Sequence, residues 1–145
     1  MPLTVEKVFR FDAGHRCLGF KDKKEETLHG HTWRLRIVVE ARRALGPMKT
    51  IFDTNELARI VKPLIERFDH SFILWSEDPL HERLVEVCRT VGIDDKLVRV
   101  DFNPTIEGLA EYFFKAVQGA LRLHDAALKR VDLDAAATLR ASYSE

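Results

Sequence analysis

The sequence holds only two cysteines, Cys17 and Cys88, and no Cys-x-x-Cys spacing. That excludes a disulfide framework and a cysteine-built zinc site, so a bound metal would have to be held by histidine and carboxylate. A charge surplus is missing too, since Lys+Arg and Asp+Glu each number 23 and cancel. Without a basic excess there is little counterion release to drive binding to a nucleic-acid backbone, and nucleic acid is not expected as a partner. No run of roughly 18 apolar residues is present to span a membrane, and Met1-Pro2-Leu3-Thr4-Val5-Glu6-Lys7 lacks the apolar stretch of a secretory leader. The expected location is the cytoplasm. Repeats and low-complexity linkers are absent as well, so the 145 residues, 46% of them hydrophobic, are expected to form one domain, 1–145, around one core.

What is present is periodicity. From Thr4 to His15, alternate positions hold Phe9, Phe11, Ala13 and His15, one face of a strand. After the charged loop Lys21–Glu26, the stretch from Leu28 to Ala41 alternates again, with His29, His31, Trp33, Leu35, Ile37 and Val39 on one side. Asp53 or Thr54 caps a helix with Leu57, Ile60, Val61, Leu64, Ile65 and Phe68 inward, and Pro63 is expected to kink it. A weaker helix is expected from Leu80 to Val91, a short strand from Lys96 to Phe102, and a long helix opened by Pro104-Thr105. Leu128 to about Ala136 reads as a fourth strand. This order favours an α+β fold, an antiparallel sheet of four strands with helices packed on one face.

Chemistry concentrates on the first two strands. His29 and His31 are two apart, so in a strand both imidazoles point the same way, roughly 6–7 Å apart along the backbone. A hairpin pairing would set His15 opposite them. Three neutral imidazoles without a fourth protein ligand leave one position on Zn²⁺ for water or substrate, the arrangement of catalytic zinc. A bare His-x-His is equally what two core or surface histidines would look like, and His15 at matching parity is what tips the reading toward a metal. Cys17 shares that parity, as a further thiol near the metal or as a small buried hydrophobe. Asp69-His70 ends the first helix as a carboxylate beside an imidazole, or as a histidine favoured by the helix macrodipole. Glu107 sits in the first turn of the long helix, and His81 and His124 are expected to be solvated.

Taken in order, Phe11-Asp12-Ala13-Gly14-His15-Arg16, Leu28-His29-Gly30-His31, Phe68-Asp69-His70 and Asn103-Pro104-Thr105-Ile106-Glu107 resemble the 6-pyruvoyltetrahydropterin synthase and 6-carboxytetrahydropterin synthase family. The resemblance implies a tunnelling fold, a four-stranded antiparallel sheet that assembles with its copies into a barrel, as a homohexamer of two trimers with active sites at subunit interfaces. It implies a zinc-dependent lyase acting on 7,8-dihydroneopterin triphosphate or a related pterin. By that likeness His15, His29 and His31 are the Zn²⁺ ligands, Asp69 and His70 the acid/base pair, and Thr105 and Glu107 part of the pterin pocket.

Two positions depart from the pattern. Where the family carries its proton-abstracting cysteine, four residues before the first histidine of His-Gly-His, this chain has Glu25. A similar exchange marks a branch resembling these synthases that releases a hydroxymethyl pterin, so Glu25 is the candidate base. Where the last strand carries the pterin-anchoring glutamate, alignment of Val131 and Leu133 leaves Ala135. Unpaired pterin donors there would cost on the order of 1–3 kcal/mol, and Asp134 replaces the glutamate only through a bulge. A relative without catalysis, or one binding no pterin while keeping the zinc site and the oligomer, is the competing expectation.

Overall fold

The computed structural model describes residues 3–121 and 125–145. His124 lies outside them. The chain runs β1 (Thr4–His15), a 3₁₀ turn (Lys23–Glu26), β2 (His29–Ala41), α1 (Thr54–Phe68), β3 (Ser71–Trp75), α2 (His81–Thr90), a second 3₁₀ turn (Asp94–Lys96), β4 (Leu97–Val100), α3 (Ile106–Ala120), β5 (Ala126–Ala136) and β6 (Leu139–Tyr143).

The two long alternating stretches pair antiparallel without a register shift, from Thr4 opposite Glu40 to His15 opposite His29. Because a strand turns every second side chain to the same face, this register puts Phe11, Trp33, Leu35, Ile37 and Val39 on one side, all essentially buried. The apolar stripes of α1 and α3 cover that side. Leu57, Val61 and Phe68 come from α1 and Leu109, Phe113, Phe114 and Val117 from α3, and all join one core. Phe11 stacks on Trp33 at 6.1 Å and meets Phe113 at 5.6 Å. Burial on this scale is the main stabilisation of the fold, about 1.5–3 kcal/mol for each fully buried large side chain.

The sheet corrects the expectation of four antiparallel strands. It has six, in the order β4-β3-β1-β2-β5-β6, and β1/β3 and β3/β4 are parallel. The two additional strands are β3 and β6. Ser71-Phe72-Ile73-Leu74-Trp75 has no alternation because both of its faces are covered, with the successive Ile73 and Leu74 both fully buried, and a short, mostly apolar run has no distinguishing period. Leu139-Arg140-Ala141-Ser142-Tyr143 is a half-exposed edge strand, polar enough to pass for a tail. Helix α1 continues through Pro63, which lies on its exposed side, where the carbonyl that loses its partner faces water.

Candidate metal site

The β1/β2 register brings the histidines together. His15 is the direct partner of His29, and His31 is two residues along, opposite Ala13. The ring centroids are 4.6 Å apart for His15 and His29, 5.2 Å for His15 and His31, and 5.0 Å for His29 and His31. One nitrogen from each lies within 4.8 Å of the others. Between them the hairpin comes close to β3. A Cβ on Gly14 would sit 2.8 Å from the Phe72 ring and 3.2 Å from the His29 carbonyl oxygen, so only glycine fits between the strands there.

Backbone carbonyls orient the rings. The Pro104 carbonyl lies 2.8 Å from His15 Nδ1, and the Thr27 carbonyl lies 2.8 Å from His29 Nδ1. A carbonyl only accepts, so each Nδ1 carries the proton and each Nε2 keeps its lone pair. His15 Nε2 is buried and has no hydrogen-bond partner. An unpaired buried nitrogen is costly, and a cation between three converging lone pairs would remove that cost. Burial also pushes the His15 imidazole down to about 4, with the charges of His29 and His31 adding to the effect, and lowers His31 for the same reasons. Both are therefore neutral at pH 7, the form that ligates. The donor set fits a metal ion.

Cys17 does not join the three. Its sulfur lies 3.6 Å from His15 Nδ1, the protonated side of the ring, and 3.5 Å from the Pro104 carbonyl. Burial pushes its thiol up to about 12. It is a small buried hydrophobe.

Glu25 is exposed on the 3₁₀ turn between the two strands, and its carboxylate is near enough to favour the charged form of His31. The turn is fastened from both sides. Cys17 N–H donates to the Glu25 carbonyl at 2.7 Å, and Arg16 Nη1 to the Glu26 carbonyl at 2.8 Å. Arg16 also grips the buried carboxylate of Asp78 through two nitrogens, at 2.7 and 2.9 Å. Asn103 holds the other end of the loop, accepting from Leu18 N–H at 3.0 Å and donating to the Leu18 carbonyl at 2.8 Å.

Asp69 and His70 form a separate pair, 3.1 Å apart. Asp69 accepts the Asp12 N–H at 2.9 Å, which with His70 holds its carboxyl below the usual range. His70 follows the helix in the left-handed region, with φ of 59°, an unfavourable place for a residue with a Cβ. Its side chain is 76% exposed. No hydrogen bond or ring contact joins it to the three histidines among the described residues, although His70 and His31 border one shallow depression. Thr105 caps α3, accepting from Gly108 N–H at 3.1 Å. Glu107 is exposed in the first turn, and its charge reaches Cys17.

Arg16 and Asn103 stand inside the motifs but had no role assigned, and Asp78 lies outside them; their partners are 62 and 85 positions away. No local signal could have paired them. His81 corrects the expectation of a solvated residue, since its side chain is only 15% exposed and its Nε2 is buried without a partner. Ala135 is buried beside Val131 and Leu133. The β5/β6 pairing does skip at this position, yet Asp134 is taken by Arg140, at 2.6 and 3.1 Å.

The sequence profile of 6-pyruvoyl tetrahydropterin synthase matches residues 4–145. The chain belongs to this family. A 6-carboxy-5,6,7,8-tetrahydropterin synthase of Aquifex aeolicus is 32% identical over 100% of this chain and 99% of its own length, and the chain's function is tetrahydropterin-synthase-like. Among solved structures, an uncharacterized protein of Wolinella succinogenes superposes with a TM-score of 0.89 at 18% identity, covering 100% of this chain and 99% of that one. A Plasmodium vivax 6-pyruvoyltetrahydropterin synthase, solved as an alanine variant of a catalytic glutamate, superposes at 0.67 with 14% identity, over 99% and 98% of the two chains. These two likenesses concern the fold.

Proposed function

We propose that this single-domain protein is a zinc-dependent lyase acting on 7,8-dihydroneopterin triphosphate or a related pterin, with His15, His29 and His31 holding the metal and Glu25 as the base. The observation that carries this reading is the buried, unpartnered Nε2 of His15 in a trio of imidazoles whose ligand nitrogens lie within 4.8 Å of one another. Bound there, Zn²⁺ supplies a Lewis acid that polarises the substrate side chain and acidifies its C–H bond. Glu25 takes the proton from that carbon. Its exposed turn is fastened by Arg16 and Cys17, and the Glu25 charge reaches His31, which supports this role. The Plasmodium relative has a catalytic glutamate of its own, which supports a carboxylate in this role.

Asp69 accepts the Nδ1 proton of His70 and leaves Nε2 to pass a proton to or from the substrate. With so exposed a ring, the pair is completed by a neighbouring copy, in a homo-oligomer with sites between subunits. Thr105 and Glu107 border the pterin. A hexamer of two trimers in the cytoplasm is the assembly this reading carries.

A second reading, a relative that keeps metal and fold but turns over no pterin, is favoured by Ala135 and by the engagement of Asp134 with Arg140. The deciding experiment incubates zinc-loaded protein with 7,8-dihydroneopterin triphosphate and identifies products by mass spectrometry, with Glu25→Gln alongside. A hydroxymethyl, pyruvoyl or carboxy pterin made by the wild type and lost in the variant is the expected result. Unchanged substrate with zinc bound would give the case to the second reading.

A further inference from the structure

The 3₁₀ turn that carries Glu25 has nothing apolar to hold it. None of its residues, Lys23 to Glu26, is buried, so hydrophobic burial does not fix where it lies. Local bonds give it shape without placing it. Asp22 Oδ1 accepts the Lys24 N–H at 2.9 Å, and the Lys24 carbonyl accepts the Thr27 hydroxyl at 2.6 Å. Beyond the flanking Asp22 and Thr27, two hydrogen bonds tie the turn to the chain among the described residues. They are the Cys17 N–H on the Glu25 carbonyl at 2.7 Å and Arg16 Nη1 on the Glu26 carbonyl at 2.8 Å.

The guanidinium making the second bond is itself held. Its Nε and Nη2 donate to the two oxygens of Asp78 at 2.7 and 2.9 Å, and the two side chains are only 12% and 2% exposed. A buried ion pair gains little net stability, because desolvation offsets the attraction, yet a two-pronged guanidinium–carboxylate contact fixes direction as well as distance. Asp78 is fixed in three further ways. Its Oδ1 accepts the Leu80 N–H at 2.8 Å, its own N–H donates to the Trp75 carbonyl at 3.1 Å, and its carbonyl accepts the His81 N–H at 2.9 Å. Trp75 ends β3, and β3 pairs with β1 as far as His15 opposite Ile73. The frame that seats Asp78 is therefore the frame that seats His15.

We propose that Asp78, acting through Arg16, is the positioning residue of the turn that carries Glu25: its carboxylate sets the guanidinium, and the guanidinium sets the Glu26 carbonyl next to Glu25. The consequence for catalysis rests on the reading of Glu25 as the base, whereas the fixing of the turn does not. Misplacing a reacting group by about 1 Å costs on the order of 10²-fold in rate. Asp78 thus governs turnover without touching substrate.

The test compares zinc-loaded wild type with Asp78→Asn, Arg16→Lys, Glu25→Gln and the double variant Asp78→Asn/Glu25→Gln. Two quantities are read: steady-state kinetics on 7,8-dihydroneopterin triphosphate, and hydrogen exchange of the Cys17 amide by mass spectrometry with peptide fragmentation. Asp78→Asn sets an amide N–H against the guanidinium. Arg16→Lys keeps the charge but loses the fork, and it carries the test if a circular dichroism melt shows the first variant unfolded. Either substitution should lower kcat by about 10–100-fold with zinc stoichiometry and KM little changed, and should speed exchange at Cys17 by about tenfold or more. Val117→Ala, a cavity in the core near the far end of α3, should lower the melting temperature and do neither. Because residues acting through one group are not additive, Asp78→Asn should lower kcat no further once Glu25 is Gln. Wild-type protection of the Cys17 amide in the clamp variants overturns the proposal, as does a rate loss that multiplies in full onto Glu25→Gln. A wild-type rate for Glu25→Gln, or no turnover by any form, removes the reading of Glu25 as the base instead, and exchange at Cys17 then decides the clamp by itself.

Discussion

The two hairpins of this sheet, β1–β2 and β5–β6, are built from the same backbone pattern and carry opposite chemistry. In β1–β2, twelve residues pair without interruption, and alternation delivers aromatic side chains to the core and three imidazoles to one end of it. In β5–β6 the pairing skips between Asp134 and Ala136, and the polar side chains there are consumed by ion pairs among themselves. An unbroken register is what lets ligands from two strands meet at one point. A bulged one can change chemistry without disturbing the other hairpin.

The largest break in this contrast should come from His31→Ala. Loss of an outer-shell partner alone lowers metal affinity about 10–100-fold, so removing a ligand should exceed that in a zinc competition titration, and turnover should disappear with the metal. Glu25→Gln should leave zinc stoichiometry intact while lowering the rate of product formation by about 10²–10⁴, the usual contribution of a positioned base. A wild-type rate in that variant would remove Glu25 from the mechanism.

Acid should act on the same hairpin through His15. Its folded-state value is lowered to about 4 from 6.5, so the unfolded chain binds the proton more readily. The stability due to keeping this ring neutral is complete above 6.5 and is lost as pH falls toward 4. In metal-free protein this amounts to at most roughly 3 kcal/mol, visible as a lower urea midpoint at pH 5 than at pH 7.5. A variant His15→Gln should flatten that slope.

Gly14→Ala forces the new methyl against Phe72 and should cost about 1–3 kcal/mol, as overpacking does, with a matching drop in melting temperature. The smallest effect belongs to the other hairpin. Arg140→Gln breaks a half-exposed ion pair and should change stability by less than about 1 kcal/mol. It leaves Asp134 free. If pterin affinity measured by calorimetry then rises, the bulged strand is a dormant anchor, and if it does not, the hairpin has no part in recognition.

Legibility in the sequence followed the same division. Alternation placed β1 and β2 and helical spacing placed α1 and α3, because each buries one face and therefore displays a period. Strand β3 was invisible because it is short and buried on both faces, apolar from Phe72 onward, and β6 because an exposed edge imposes no pattern. The gathering of the three histidines was legible since strand parity puts them on one face and the expected β1/β2 pairing sets His15 opposite the other two. The clamps of Arg16 on Asp78 and Asn103 on Leu18 were not, since they depend on which distant loops meet.

Asn103 shows what such a meeting accomplishes. By offering one acceptor and one donor to the same residue, its amide reproduces the paired bonds of a neighbouring strand within a single side chain. The loop leaving β1 thus has a sheet-like edge where no strand runs. Aspartate has the same outline yet no proton to give at neutral pH, so it would leave the Leu18 carbonyl unanswered. The choice between two nearly isosteric residues, read ahead of Pro104, specifies how the chain turns away from the three clustered histidines.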